Sequence, residues 1–159
     1  MTLLETLGAI LVGLIILAGA ALGLNSAFSS SKLSETEQNL VTLRMQIQHM
    51  FSGSSDFTGL DNDLALKAGV VPKSFIKGNV MKNAFGGEIT LAPVTADAAF
   101  SIELTSIPQE ECTKLAKFQT DAWLGVTVNG NEIDRLSDTL VTDIVSSCED
   151  SNTILFTAR

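Results

Sequence analysis

Glu5 is the only ionisable side chain among the first thirty-one residues, and the twenty-six residues that follow it, Thr6 to Ser31, carry no charge. A carboxylate at the lip of an apolar helix costs free energy and marks a partner or a pathway; the plain alternative is that it snorkels to a lipid headgroup. The only cation near it in sequence is the α-amino group of Met1. Two thiols come next, Cys112 and Cys148. With a single histidine, His49, and no further cysteine, they cannot complete a zinc site. In an exported chain the default is one disulfide closing a loop of about 37 residues, worth on the order of 4 kcal/mol in the chain-entropy account; two buried free thiols are the other reading. Asp61-Asn62-Asp63 has carboxylates for calcium but lacks the glycine and distal glutamate of a calcium loop, so it reads as a helix cap. Glu110-Glu111 and Glu149-Asp150 are adjacent in sequence, would point apart on a helix, and read as solvated charge. His49 reads as a surface or packing residue. With no tyrosine, no phosphate-binding glycine loop and no Cys-His pairing, no catalytic residue, metal or cofactor is expected.

The element that must carry Glu5 is a helix. Leu7 to Leu24 is almost wholly Leu, Ile, Val, Ala and Gly. Leu3 to Phe28 at 1.5 Å per residue would span about 39 Å, enough for a hydrocarbon core of about 30 Å. A secretory signal would place Lys or Arg ahead of its apolar run. Here no base precedes Lys32, which fits an upstream leader already removed, with Met1 as a new amino terminus. Beyond the apolar run, Leu33, Leu40, Leu43, Ile47 and Met50 recur at helical spacing, with Glu35, Glu37, Gln38, Arg44 and Gln46 on other faces. No proline occurs before Pro72. The pattern predicts one helix from about Thr2 to Phe51: residues 1–28 a hydrophobic transmembrane segment, 29–51 its amphipathic continuation, and 52–159 a globular head. Gly8, Gly13, Gly19 and Gly23 each cost about 1 kcal/mol against alanine in a helix. Gly19-x-x-x-Gly23, flanked by Ala20 and Ala27, offers a small face for helix packing; a stretch around Gly13, Gly19 and Gly23 that unwinds when lipid is exchanged for protein contacts is the second reason, and ordinary tolerance of glycine in membrane helices the third.

The head alternates between turn and strand signals. Ser52-Gly53-Ser54-Ser55-Asp56 reads as a loop, and Asp61 to Gly69 as a short capped helix left through Val70-Val71-Pro72-Lys73. Glu88–Val94 and Ala99–Leu104 alternate like half-buried strands, joined near Ala96-Asp97. Pro108 to Phe118 reads as a helix, Trp123 to Val128 as a strand, Asn129-Gly130 as a hairpin turn, Asp138 to Cys148 as partly helical, and Thr153 to Ala158 as a strand that ends inside the sheet. The order implies an α+β architecture, a long helix packed on an antiparallel sheet. The net charge of −8, from 18 acids and 10 bases, argues against direct nucleic-acid binding, which needs Lys and Arg to displace counterions.

Met1-Thr2-Leu3-Leu4-Glu5 followed by an apolar helix resembles the mature N-terminus of type IV pilins: a hydrophobic first residue, Thr, Leu, any residue, Glu. Met in first place resembles the type IVb branch. Asn83-Ala84-Phe85-Gly86-Gly87 is similar to the Asn-Pro-Trp/Phe-Gly-Gly turn of many type IVb and plasmid-encoded pilins, with Ala84 in place of proline. The stretch Ala99 to Leu115 resembles the strand-helix-cysteine region of the toxin-coregulated kind.

The resemblance implies the pilin fold, a Cys112–Cys148 bridge, and cleavage and N-methylation of Met1 by a prepilin peptidase. It also implies subunit assembly through Met1, Thr2, Leu3 and Glu5, with Glu5 pairing with the Met1 amine of the same or an adjacent subunit. The function implied is that of the major pilin of an extracellular filament, a helical homo-oligomer serving cell attachment, aggregation or conjugative DNA transfer. Its partners would be the inner membrane before assembly, the pilus assembly machinery, and host or recipient cell surfaces. A pseudopilin of a type II secretion system, a minor pilin, and a membrane-anchored periplasmic adaptor that never polymerises are the alternatives.

Overall fold

The computed structural model describes residues 2–94, 96 and 98–159, with the backbone alone described for 17–27. It divides into two compact units, one ending at Ser34 and the other running from Glu35 to Arg159. Helix α1, Leu3–Met50, contributes to both.

In the first unit the described apolar side chains of α1 up to Ile16 face outward: Leu3 is 82% exposed, and Leu4, Leu7, Ile10, Leu11, Ile15 and Ile16 are also exposed, whereas Leu33 is buried. The helix runs through Gly8 and Gly13, where an added Cβ would meet no atom within 4 Å. The small face expected at Gly19 and Gly23 lies outside the described side chains, as does much of the run Leu7–Leu24. Among the described residues no helix is long and apolar enough to cross a membrane.

In the second unit the same helix has an inner face. Thr36, Leu40, Leu43 and Ile47 are fully buried at helical spacing, while Met50 is half-buried and His49 exposed. Helix α2, Asn62–Ala68, starts where the Asp61 carboxylate accepts the Leu64 N–H at 2.7 Å and stops at Gly69, φ 71°. A 3₁₀ turn, Lys73–Phe75, leads into a small hairpin of β1, Ile76–Lys77, and β2, Val80–Met81. Strands of two residues are too short to show a period in the sequence. The main sheet then takes β3, Ile89–Val94, and β4, Ala99–Pro108, paired antiparallel from Ile89↔Leu104 to Val94↔Ala99. Asp97, in the expected connecting turn, lies outside the described residues.

Helix α3, Gln109–Lys117, follows β4. Strand β5, Gly125–Val128, turns at Asn129-Gly130 into β6, Asn131–Glu132; both turn residues have positive φ, 50° and 83°, the geometry that Asn-Gly favours in two-residue hairpins. Helix α4, Leu140–Ser147, precedes the last strand, β7, Ser151–Ala158. The sheet order is β3-β4-β7-β5-β6, so the chain's final strand lies inside the sheet. Its alternate residues Asn152, Ile154, Phe156 and Ala158 are buried. Trp123 packs on Phe156 with ring centroids 4.8 Å apart, and the Arg44 guanidinium of α1 lies 4.6 Å from the Trp123 ring while donating to the Ala122 carbonyl at 3.2 Å. The result is α+β, a helix packed on an antiparallel sheet.

Candidate functional site

Thr2 and Glu5 bracket the start of α1 reciprocally. The Thr2 N–H donates to Glu5 Oε2 at 3.4 Å and the Glu5 N–H donates to Thr2 Oγ1 at 3.4 Å, while the Thr2 carbonyl accepts the Thr6 N–H at 3.3 Å. This is a capping box, and the spacing Thr-x-x-Glu announces it in the sequence. The bonds are long, so the carboxylate is held weakly and stays exposed among exposed leucines. Met1 lies outside the described residues, and the expected pairing of Glu5 with its amine lies there too. Thr2, Leu3 and Glu5 share the first helical turn.

The second constellation surrounds the cysteines. Cys112, inside α3, and Cys148, at the end of α4, are joined by a disulfide with Cα atoms 6.0 Å apart and a sequence separation of 36. Gln109 Nε2 donates to the Cys148 carbonyl at 3.4 Å. Beside the bridge, buried Asn152 donates to the Ile107 and Glu149 carbonyls at 2.9 and 2.7 Å. Its Oδ1 accepts from the Glu149 N–H at 2.6 Å and from Asn129 Nδ2 at 2.7 Å. Asn129 in turn donates to the Ser147 carbonyl and accepts the Thr153 N–H, each at 2.9 Å. Two carboxamides thus tie β4, α4, the β5–β6 turn and β7 together around one covalent link. Asn152 is buried and Asn129 exposed, so the network runs from the core to the surface, and its satisfied buried member favours one geometry.

A third cluster holds the entry to the sheet. Asn83 Oδ1 accepts the N–H groups of Phe85 and Gly87 at 2.9 and 3.2 Å, and its Nδ2 donates to the Thr105 carbonyl at 2.8 Å. Thr105 and Ser106, the latter with φ 57°, form the irregular step where the β4–β7 register shifts. A Cβ on Gly87 would sit 1.8 Å from the Thr105 oxygen, so only glycine fits the approach. Nearby, the Asn62 side chain extends the outer edge of β3, donating to the Ile89 carbonyl at 2.7 Å and accepting the Leu91 N–H at 2.8 Å. Asp61 caps α2 while Asn62 bonds to β3, which gives two of the three residues of that acidic run structural work.

The acidic pairs behave unequally. Glu110 is exposed and forms an ion pair with Lys114 at 2.8 Å, which lowers its pKa through that bond. Glu111 is 7% exposed, which corrects its reading as solvated charge: adjacent residues on α3 point apart, and one of the two directions is inward. The Asn129-Gly130 and Asn83–Gly87 turns are visible locally, but the bonds from Asn62 to β3, from Asn83 to Thr105 and from Asn152 to Ile107 and Asn129 reach partners more than 20 residues away.

The chain matches the family described as PilS N terminal over residues 30–159. It is 22% identical over 153 residues to the major structural subunit of bundle-forming pilus from Escherichia coli O111:H-, covering 94% of this chain and 77% of that one. The same figures hold for the like-named subunit of Escherichia coli O127:H6. Among solved structures it is similar to TcpA, a type IV pilin from Vibrio cholerae El Tor biotype, with a TM-score of 0.59 and 14% identity, over 81% of this chain and 99% of that one. That last likeness is one of fold.

Proposed function

Because this chain belongs to the PilS N-terminal family, we propose that it is the major structural subunit of an extracellular type IVb pilus. The observation that carries the reading is the outward-facing apolar side chains of α1 in the first unit, around one weakly held carboxylate. A helix apolar on all sides is stable only in lipid or among other helices. Lipid receives it first, with the segment 1–28 in the inner membrane and the head in the periplasm; other copies receive it afterwards, in the filament core. A prepilin peptidase cleaves before Met1 and methylates it, and the assembly machinery extracts the subunit. In the core Glu5 meets the Met1 amine of its own or an adjacent copy and sets the axial register, with Thr2 and Leu3 in the same contact. Gly13, Gly19 and Gly23 allow close helix packing or local unwinding there. The heads form the wall, and the segment from Cys112 to Cys148 faces outward toward host or recipient cells. The role is structural, with no catalysis and no direct grip on nucleic acid.

The test is to express the chain with its assembly machinery, shear the cells, and examine the sheared fraction by electron microscopy and mass spectrometry. The expected result is filaments in which this chain is the bulk protein. Filaments that contain it only in trace would assign it as a minor pilin or a pseudopilin, and its complete retention in the inner membrane would make it a non-polymerising adaptor.

A further inference from the structure

Asn129-Gly130, the turn between β5 and β6, is the chain's single Asn-Gly pair. Asparagine is a labile residue, and most so before glycine, where no side chain shields the next backbone nitrogen from the carboxamide carbon. In deamidation the Gly130 nitrogen gives its proton to solvent and attacks Asn129 Cγ. The new C–N bond closes an imide ring, and the Cγ–Nδ2 bond breaks to release ammonia. Water then adds across either ring carbonyl, leaving aspartate or isoaspartate, the latter with an extra methylene in the main chain. Water is the only co-reactant, and nothing is oxidised or reduced. Both turn residues are exposed, and a Cβ built on Gly130 would meet no atom within 4 Å, so solvent has open access to this nitrogen.

The fold opposes the step by holding Asn129 at both ends. Its main-chain N–H donates to the Thr153 carbonyl at 2.9 Å. Its Nδ2 donates to the Ser147 carbonyl at 2.9 Å and to Asn152 Oδ1 at 2.7 Å, and its Oδ1 accepts the Thr153 N–H at 2.9 Å. Ring closure needs rotation of the side chain toward Gly130 and departure of Nδ2, and neither occurs while these bonds stand.

The partners of that amide are gathered around the bridge. Ser147 immediately precedes Cys148, and Asn152 Oδ1 also accepts the N–H of Glu149, which immediately follows it, at 2.6 Å. Cys148 is in turn tied to Cys112 of α3. The two oxygens that take the Asn129 amide are thus held from either side of a cysteine whose place is set by a covalent link.

We propose that Asn129 is a latent deamidation site latched by the Cys112–Cys148 bridge: a head whose bridge is open converts to an acid at position 129, and an oxidised head does not. The conversion runs one way. A carboxylate only accepts hydrogen bonds, so it loses both donations and sets its charge against the Ser147 carbonyl and Asn152 Oδ1. Isoaspartate also lengthens a two-residue turn whose geometry suits Asn-Gly. A deamidated head closes poorly, and a transient opening of the bridge leaves a permanent mark. This goes beyond the filament role and does not rest on it.

The test follows the full chain in detergent through incubation in warm, mildly alkaline buffer. Mass spectrometry reads the peptide containing Asn129, an isoaspartate-specific methyltransferase scores the rearranged product, and the other seven asparagines serve as the internal reference. The oxidised chain is expected to deamidate at Asn129 at least about tenfold more slowly than the same chain reduced, because opening removes the bonds that hold the amide. Reduction also loosens the head elsewhere, so a second arm keeps the bridge. Oxidised Asn152→Ala, which lacks one acceptor of the amide, is expected to deamidate several-fold faster than oxidised wild type at a temperature where hydrogen exchange shows β3 and β4 protected in both. In a third arm, Asn129→Asp is expected to re-form the bridge less completely than wild type after a cycle of reduction and reoxidation.

Equal rates in oxidised and reduced chains would overturn the latch, and so would an unchanged rate in oxidised Asn152→Ala. Full recovery of the bridge by Asn129→Asp would overturn the one-way character. None of these readouts uses filaments, so the outcome is separate from that of the filament test.

Discussion

In the unit that ends at Ser34, Leu3, Leu4 and Leu7 of α1 turn their side chains outward; in the unit that begins at Glu35, Leu40, Leu43 and Ile47 of the same helix are fully buried. The polar groups differ in the same sense. Glu5 is held by one bond of 3.4 Å, whereas Asn152 makes four of 2.6–2.9 Å. In the head most buried polar groups find partners within the chain, Asn39 Nδ2 and Trp123 Nε1 being the exceptions among the described residues. The first unit is half of an object, and its energetics are completed by whatever surrounds it. Substitutions in the two regions should therefore fail in different assays: head variants in unfolding, and first-unit variants in assembly.

The strongest test of that division is Glu5. Glu5→Ala is expected to insert in the membrane, oxidise its cysteines and unfold at the wild-type temperature, yet yield no filaments. Burying the Met1 amine without its carboxylate would cost on the order of 3–5 kcal/mol per subunit. Because Glu5 also closes a capping box, Glu5→Gln sharpens the result: the amide preserves the cap and removes the charge. Filaments from Glu5→Gln at normal yield would reduce the residue to a helix cap.

In the head the largest effect is expected from the covalent link. Cys148→Ser should lower stability by about 4 kcal/mol, read as a fall in melting temperature of the detergent-solubilised subunit, with filament yield dropping as a consequence. If piliation fell while the melting temperature held, the bridge would belong to the assembly contacts rather than to the head. Next is the carboxamide that supports it. Asn152→Ala leaves the Ile107 and Glu149 carbonyls and the Asn129 amide short of partners, and should destabilise the head by about 2–3 kcal/mol. A melting temperature unchanged within error would mean that water replaces the lost bonds.

How much of this could be read in the chain follows the range of each interaction. The alternation in Ala99–Leu104 and Thr153–Ala158, the Asn129-Gly130 pair, and the Asp61 and Gly69 caps are local, and each predicted element is present in the fold. The helical stripe of α1 is legible for the same reason, with Thr36 the unexpected member. The insertion of β7 between β4 and β5 is a matter of pairing over more than 25 residues, which no local pattern encodes. Asn83 and Gly87 form a recognisable turn, but their need for that geometry comes from the Thr105 carbonyl, and nothing in residues 83–87 shows where that oxygen will lie. The capping box at Thr2 and Glu5 is local too, written in the Thr-x-x-Glu spacing.

The smallest expected effect contrasts Glu5 with Glu37, an acid of α1 in the second unit. Glu37, in the second unit, has its carboxyl pKa raised from the model-compound value of 4.5 by desolvation. The folded state therefore holds that proton more tightly than the unfolded chain does. Between 4.5 and the raised value the folded state binds more protons, so stability falls as pH rises through that window and is level above it. The group is mostly solvated, which limits the effect to a few tenths of a kcal/mol. Glu37→Gln should remove this slope, raising the melting temperature slightly at pH 7 and leaving it unchanged at pH 3, with filament yield untouched throughout. Loss of filaments from Glu37→Gln would mean that the requirement for an acid extends beyond Glu5 into the head's own stretch of helix, and the division between a finished unit and one completed by its neighbours would have to be redrawn there.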